Sequence, residues 1–76
     1  MKTIEKRLIA EGYEKKTYPW GVRYSREEED EACMRHIDVY KSGEVEEWHI
    51  LLDPGAIAVT DGMYGSVEDW LNGNAE

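Results

Sequence analysis

The feature that most constrains the fold is the dipeptide Ser42-Gly43, which lies between two segments that are predicted to be β-strands. These segments, residues 32–41 and 44–52, are the best-defined element of the sequence. A Ser-Gly dipeptide between two such segments indicates a two-residue hairpin turn. That turn predicts a register in which Lys41 faces Glu44 and Tyr40 faces Val45. This register assigns each of the remaining side chains of the hairpin to one of the two faces of the sheet.

In the predicted register, one face of the hairpin is mostly apolar and is expected to pack against a helix. The residues of this face are Cys33, Arg35, Ile37 and Val39, opposite Leu52, Ile50, Trp48 and Glu46. The other face is mixed and is expected to be wetter. Its residues are Met34, His36, Asp38 and Tyr40, opposite Leu51, His49, Glu47 and Val45.

The wetter face would place His36 directly opposite His49, with Asp38 and Glu47 as the next pair. Opposed Cβ atoms lie about 4.5–5.5 Å apart. Two imidazoles and two carboxylates at that spacing are ligands that a divalent metal such as zinc accepts. Facing histidines would also resist double protonation, so a metal- or pH-responsive protein is one hypothesis for function. A solvated polar face is the simpler interpretation, and no metal ligand is assigned.

Two helices are predicted at the ends of the chain. In residues 2–11, Ile4 and Leu8 stand four apart, and Gly12 occupies the position of a left-handed C-terminal cap. Ser66 is a good N-cap for a second helix. The apolar face of that helix is formed by Val67, Trp70 and Leu71, and Gly73 ends it.

Further strands are predicted between the helices. Tyr13 to Lys16 lead into an extended segment, which Pro19 limits to an edge strand or a turn. Residues 20–26 alternate with period two and form the first full strand. Residues 56–60 form a short apolar run, interpreted as a further strand. The order is α-β-β-β-(β)-α, an α+β fold in one domain, 1–76, with an antiparallel β-meander and helices packed on one face.

The charge of the chain is unevenly distributed. The net charge is −8. Residues 1–26 hold seven basic and three acidic side chains, a net of +4, whereas residues 27–76 hold two basic and fourteen acidic ones, a net of −12. A net charge of this size keeps a small domain soluble. It also favours association with a basic partner, because the summed field steers encounter.

The leading hypothesis is therefore a non-enzymatic interaction protein that binds a positively charged protein surface. Residues 27–31 are five consecutive carboxylates and are expected to form a solvated loop or the outer lip of a hairpin. The expected partner-binding residues are Glu27, Glu28, Glu29, Asp30, Glu31, Glu44, Glu46 and Glu47. Alternate residues of a strand lie about 6.7 Å apart on one face. This is about two axial rises of one DNA strand, so carboxylates along a sheet edge could imitate the spacing of phosphates.

In its size, acidity and αβββα layout the chain is similar in general style to small phage-encoded inhibitors that mimic DNA, including some anti-CRISPR proteins. The likeness covers size, charge and layout. It implies a partner that binds nucleic acid, and a regulatory or inhibitory role.

An alternative hypothesis places nucleic acid on the basic and aromatic segment 13–26. Single-stranded nucleic acid binders combine a positive groove with stacking rings. The acidic remainder of the chain would repel phosphate, which argues against nucleic acid as a partner. The residues of this alternative are Lys15, Lys16, Tyr18, Arg23 and Arg26.

No motif in the sequence indicates an enzyme. A chain of 76 residues has little room for a substrate cavity besides its core. Cys33 is the only cysteine, and the predicted register sends both histidines to the other face, so no catalytic residue and no cofactor is expected. The absence of a signal-peptide pattern and of a membrane span makes a cytoplasmic location the expectation. The sequence leaves the oligomeric state open.

Overall fold

The computed structural model describes residues 2–28, 33–52 and 55–74, apart from the side chains of residues 2 and 3. The elements are α1 (Lys2–Ala10), β1 (Glu14–Tyr18), β2 (Gly21–Glu28), β3 (Cys33–Tyr40), β4 (Val45–Leu51), β5 (Ile57–Tyr64) and α2 (Val67–Gly73). None of the helices in these ranges is long and apolar enough to span a membrane.

The five strands form one antiparallel sheet in chain order, β1-β2-β3-β4-β5. This confirms the predicted α+β fold with an antiparallel meander. Three details of the strands are now defined. The segment before Pro19 is a true edge strand, β1. The strand predicted over 20–26 is β2. The apolar run 56–60 belongs to a longer fifth strand, β5, which ends the sheet.

Helix α1 ends as predicted, with Gly12 in the left-handed region at a φ of 93°. The Gly12 amide donates to the Ile9 carbonyl and the Tyr13 amide donates to the Leu8 carbonyl, both at 3.0 Å. This pair of hydrogen bonds is the Schellman motif, in which the residue after the glycine also packs against the last turn of the helix. Leu8 and Tyr13 are both buried in the core, so the cap directs the chain from α1 into β1.

Helix α2 begins at the predicted cap. The Ser66 hydroxyl accepts a hydrogen bond from the Asp69 amide at 3.0 Å. Trp70 is buried, and Val67 and Leu71 pack against the core as partly buried side chains, which confirms the predicted apolar face.

Both helices lie on the same face of the sheet, which we call the helix face. The Trp70 indole of α2 donates to Glu47 of β4, and the Tyr24 hydroxyl of β2 donates to Glu5 of α1 at 3.3 Å. The core lies between the helices and this face. Its buried residues are Ile4, Leu8, Tyr13, Tyr24, Ile37, Val39, Val45 and Trp70.

The turn between β1 and β2 requires glycine at position 21. Tyr18 pairs with Gly21, so Pro19 and Trp20 are the two turn residues. Gly21 has a φ of 154°, and a Cβ at this position would lie 2.2 Å from the Val39 carbonyl oxygen of β3. The missing side chain thus lets β2 and β3 approach each other closely, and Trp20 is held beside the β3–β4 turn, where the Lys41 amide donates to its carbonyl.

The register predicted for the β3–β4 hairpin is wrong by one residue. The Tyr40 amide donates to the Glu44 carbonyl, and the Gly43 amide donates to the Tyr40 carbonyl, both at 2.9 Å. The turn therefore has three residues, 41–43, and Gly43 adopts a φ of 98°. A three-residue hairpin with a left-handed glycine at its last position is a common alternative to the two-residue turn, and the same Ser-Gly dipeptide suits both.

The slip exchanges the faces of β4. Val39 pairs with Val45 and Ile37 pairs with Glu47, so Val45 is completely buried under the helices. Trp48 lies opposite His36 on the other side of the sheet, which we call the helix-free face. His36 and His49 are thus on opposite faces, and the predicted histidine pair does not form.

Candidate functional site

The helix-free face carries a group of aromatic side chains around Arg23 of β2. The Arg23 guanidinium carbon lies 5.5 Å from the ring centroid of Tyr18, 5.2 Å from that of Trp20 and 5.0 Å from that of Trp48. These distances are within the range of cation–π attraction. Tyr18 and Trp20 stack at 5.1 Å between centroids, and Tyr40 contacts Trp20 at 5.3 Å.

These four rings, Tyr18, Trp20, Tyr40 and Trp48, are called the aromatic cluster below. They come from β1, the β1–β2 turn, β3 and β4, and all are partly exposed. The strand register brings them together, because Arg23 pairs with Asp38 in the centre of the sheet.

Asp38 lies beneath this layer with only 2% of its surface exposed. Its two oxygens accept from Arg23 Nε at 2.8 Å and from Arg23 Nη2 at 3.1 Å, and the second oxygen also accepts from Trp48 Nε1 at 2.9 Å. A buried carboxylate is tolerated when it is paired and its oxygens are hydrogen-bonded. The hydrogen bond with Asp38 is also the main cause that raises the pKa of Arg23.

His36 extends the layer on the other side of Trp48. It is 7% exposed, and its ring stacks on Trp48 with 4.2 Å between centroids. Its Nδ1 lies 2.8 Å from the Ser25 hydroxyl oxygen, within hydrogen-bonding distance. Burial lowers the pKa of His36 below its ordinary value, the charge of Arg23 lowers it further, and Asp38 opposes both effects. The imidazole is therefore neutral at pH 7.

The predicted partner-binding carboxylates are divided between the two faces. Glu27 and Glu46 lie on the helix-free face, and Glu44 is an exposed residue that directly precedes β4 in the chain. Glu46 accepts from the Tyr40 hydroxyl at 2.7 Å, and this hydrogen bond is the main reason that the pKa of Tyr40 rises to about 12. Glu28 and Glu47 lie on the helix face. Three predicted residues are outside the described ranges: Glu29, Asp30 and Glu31.

Glu28 already binds two arginine side chains of the same chain. It accepts from Arg26 Nε and Nη2 at 3.0 and 3.1 Å and from Arg35 Nε at 3.0 Å, and the bond with Arg26 is the main cause that lowers the pKa of Glu28. These charges line a half-open cleft of about 350 Å³ on the helix face, together with Tyr13 and Trp70. Because these acids and bases already pair with each other, this cleft is a weaker candidate for recognition than the aromatic cluster.

The residues of the nucleic-acid alternative are also divided. Lys16, Tyr18 and Arg23 lie on the helix-free face, whereas Lys15 and Arg26 lie on the helix face. Lys15 Nζ binds Glu5 at 2.6 Å, and Arg26 packs 4.8 Å from the Tyr13 ring. Four bases of the N-terminal third thus pair with acids of the same chain: Arg7, Lys15, Arg23 and Arg26.

The metal hypothesis loses its geometric basis. His49 Nδ1 lies 2.8 Å from Asp61 of β5 on the helix face, on the opposite side of the sheet from His36. Within residues 2–28, 33–52 and 55–74, no three His, Cys, Asp or Glu side chains are grouped as a metal site would require. Cys33 is buried on the helix face, as predicted.

Sequence reasoning missed most of the aromatic cluster. It selected Tyr18 and Arg23 but did not select Trp20 or Tyr40, and it placed Trp48 under the helices. The available signal was the spacing between Arg23 and Asp38, which are cross-strand partners when β2 and β3 pair with Glu28 opposite Cys33. The acidic run does not by itself indicate that register.

Comparisons of the chain with protein-family models, with curated proteins and with solved structures found no match. Function is therefore inferred from the geometry of the two faces.

Replacing Asp38 tests whether it supports the helix-free face. Asp38→Ala removes the acceptor of both Arg23 and Trp48, and breaking a buried pair in this way is expected to cost about 3 kcal/mol of unfolding free energy. Glu11→Ala is the control, because Glu11 pairs with Arg7 at 3.4 Å on the surface. An exposed pair contributes about 0–1 kcal/mol. Urea unfolding measures both, and equal losses would contradict a supporting role for Asp38.

His36 predicts a pH dependence of stability. Because its pKa is lower in the folded protein than the ordinary 6.5, the unfolded chain binds the proton first as the pH falls. The stability contribution of neutral His36 is complete above pH 6.5 and is lost progressively below it. Urea midpoints of the wild type should fall between pH 7 and 5 more steeply than those of His36→Gln. Parallel pH profiles for the two proteins would count against a buried neutral imidazole.

Proposed function

We propose that this chain is a non-enzymatic interaction protein that presents its helix-free face to a positively charged protein surface. The observation that carries the proposal is the aromatic cluster packed around the Arg23–Asp38 pair on a sheet face that no described helix covers. Tyr, Trp and Arg are the residues enriched where interfaces concentrate their binding energy. Asp38 holds Arg23 in place, so little side-chain freedom would be lost on binding.

The charges around the cluster support a basic partner. In the strands, the helix-free face holds Glu14, Glu27, Asp38 and Glu46 against Lys16 and Arg23. Asp38 and Arg23 neutralise each other, which leaves three carboxylates against one lysine. Opposite charge at the rim raises the rate of association and selects the partner, while the rings supply buried area. The basic groove of a nucleic-acid-binding protein is one surface of this kind.

Single-stranded nucleic acid is the second candidate, and the stacked pair Tyr18 and Trp20 beside Lys16 favours it. Rings of this kind stack on bases. It ranks second because phosphate binding depends on unpaired Lys and Arg. Asp38 neutralises Arg23, and the acids of the face would repel phosphate.

Matched variants test the proposal in affinity capture from nuclease-treated lysate at low and high salt. Glu27→Lys reverses an exposed charge on the helix-free face, and Glu68→Lys makes the same change on α2. Trp20→Ala removes one ring of the cluster. The expected result is retention of a basic protein that weakens at high salt and is lost with Glu27→Lys and Trp20→Ala, but kept with Glu68→Lys.

Two outcomes would contradict it. One is equal retention by the wild type, Glu27→Lys and Trp20→Ala. The other is quenching of tryptophan fluorescence by oligothymidylate that disappears with Trp20→Ala, because that result would assign the aromatic cluster to nucleic acid.

A further inference from the structure

The two edges of the sheet differ in how they are protected against pairing with another strand. Edge strands expose unpaired backbone groups, and proteins protect them with short strands, charged side chains, proline and bulges. β1 has these features: it is five residues long, contains Glu14, Lys15 and Lys16, and is followed by Pro19. This edge is poorly suited to bind a further strand.

β5 is protected over only half of its length. A register shift at Glu47 and Trp48 of β4 places a bulge at Asp61, next to Gly62. Bulges bend a strand and interrupt its ladder. Before the bulge, residues 56–60 read Ala-Ile-Ala-Val-Thr and contain no charge. This half pairs regularly with β4, and none of the described strands pairs with its outer edge.

The uncharged half of β5 also exposes apolar side chains. Ile57 is 53% exposed and Val59 is 38% exposed. Both lie on the helix face, and Ile57 pairs with Leu51, which is exposed as well. An open strand edge beside a row of exposed apolar side chains is a surface that another strand can cover.

We propose that a second copy of this chain binds the β5 edge, with residues 56–60 of the two copies paired antiparallel around a twofold axis at Ala58. Antiparallel pairing of one strand with its own copy satisfies twofold symmetry, because each contact is made twice. In this register Ile57 of each copy lies opposite Val59 of the other. The two Ile57–Val59 pairs and the adjoining Leu51 side chains form one apolar row across the seam.

Charge limits where a second copy can bind and in which register. Each copy carries a net charge of −8, so two copies can approach closely only where neither is charged. An axis at Ala58 places Asp61 of each copy opposite Gly55 of the other. The two Asp61 residues are then six strand positions apart, about 20 Å, well beyond the screening length of about 8 Å. An axis at Val59 would instead place each Asp61 against Ile57.

Sedimentation velocity over a dilution series tests the proposal with two lysine variants of β5. The wild type is expected to sediment as a dimer that dissociates on dilution. Val59→Lys places a charge inside the paired segment and is expected to abolish the dimer. Met63→Lys adds the same charge to the same strand beyond the bulge, where Met63 is 61% exposed, and is expected to retain it.

A charge-swap mixture tests the register. Ile57→Lys and Val59→Glu are each expected to be monomeric alone. When mixed, they are expected to form a two-chain species, because the introduced lysine of one chain faces the introduced glutamate of the other across the seam. In the second pair of that seam, the native Val59 of the lysine variant faces the native Ile57 of the glutamate variant. Circular dichroism of each variant reports whether it is folded.

Three results would overturn the proposal. The first is a wild type that remains monomeric at every concentration, and the second is a dimer that persists in folded Val59→Lys. The third is dissociation of the dimer by Met63→Lys to the same extent as by Val59→Lys. The seam lies at the far edge of the sheet from β1, and the proposal does not depend on the partner of the helix-free face.

Discussion

A carboxylate with 2% of its surface exposed lies on the sheet face that the described helices leave uncovered, and this residue, Asp38, organises that face. A buried charge needs hydrogen bonds to its acceptor oxygens, since water is excluded. Arg23 and Trp48 supply these bonds from the two neighbouring strands. Their positions then bring Tyr18 and Trp20 over the guanidinium. The aromatic cluster is thus the cover of a buried ion pair as well as the proposed contact surface.

The same pair limits which function the face can serve. Arg23 is the central cation among the rings, yet Asp38 neutralises it, so the face gains rigidity and hydrogen-bond geometry without gaining positive charge. A surface of this kind suits a protein partner better than a phosphate backbone. The outer edge of β5 before the bulge differs from this face, because it carries no charge and pairs with none of the described strands. Recognition on the helix-free face and self-association at β5 therefore use different physical features of one sheet.

Local signals in the sequence predicted most of the fold. Gly12 and Ser66 marked the helix ends because each cap depends on a few neighbouring residues. The hairpin register was not predictable in the same way, because Ser42-Gly43 fits turns of two or three residues. The choice is made by tertiary packing: the three-residue turn buries Val45 under the helices, whereas the predicted one would have exposed it. The single slip separated His36 from His49 and moved Trp48 to the aromatic cluster.

The pairing register of β3 and β4 determines the positions of Trp48, His36 and His49. Measuring this register is therefore the most direct test of the proposed site. Since Tyr40 and Glu44 are joined by a backbone hydrogen bond, Ile37–Glu47 and Arg35–His49 are non-hydrogen-bonded pairs, whose Cα atoms approach to about 4.5 Å. Solution NMR should show nuclear Overhauser effects between the α-protons of each of these two pairs. An α-proton contact between His36 and His49 would instead establish the two-residue turn and would contradict the placement of Trp48 over Asp38.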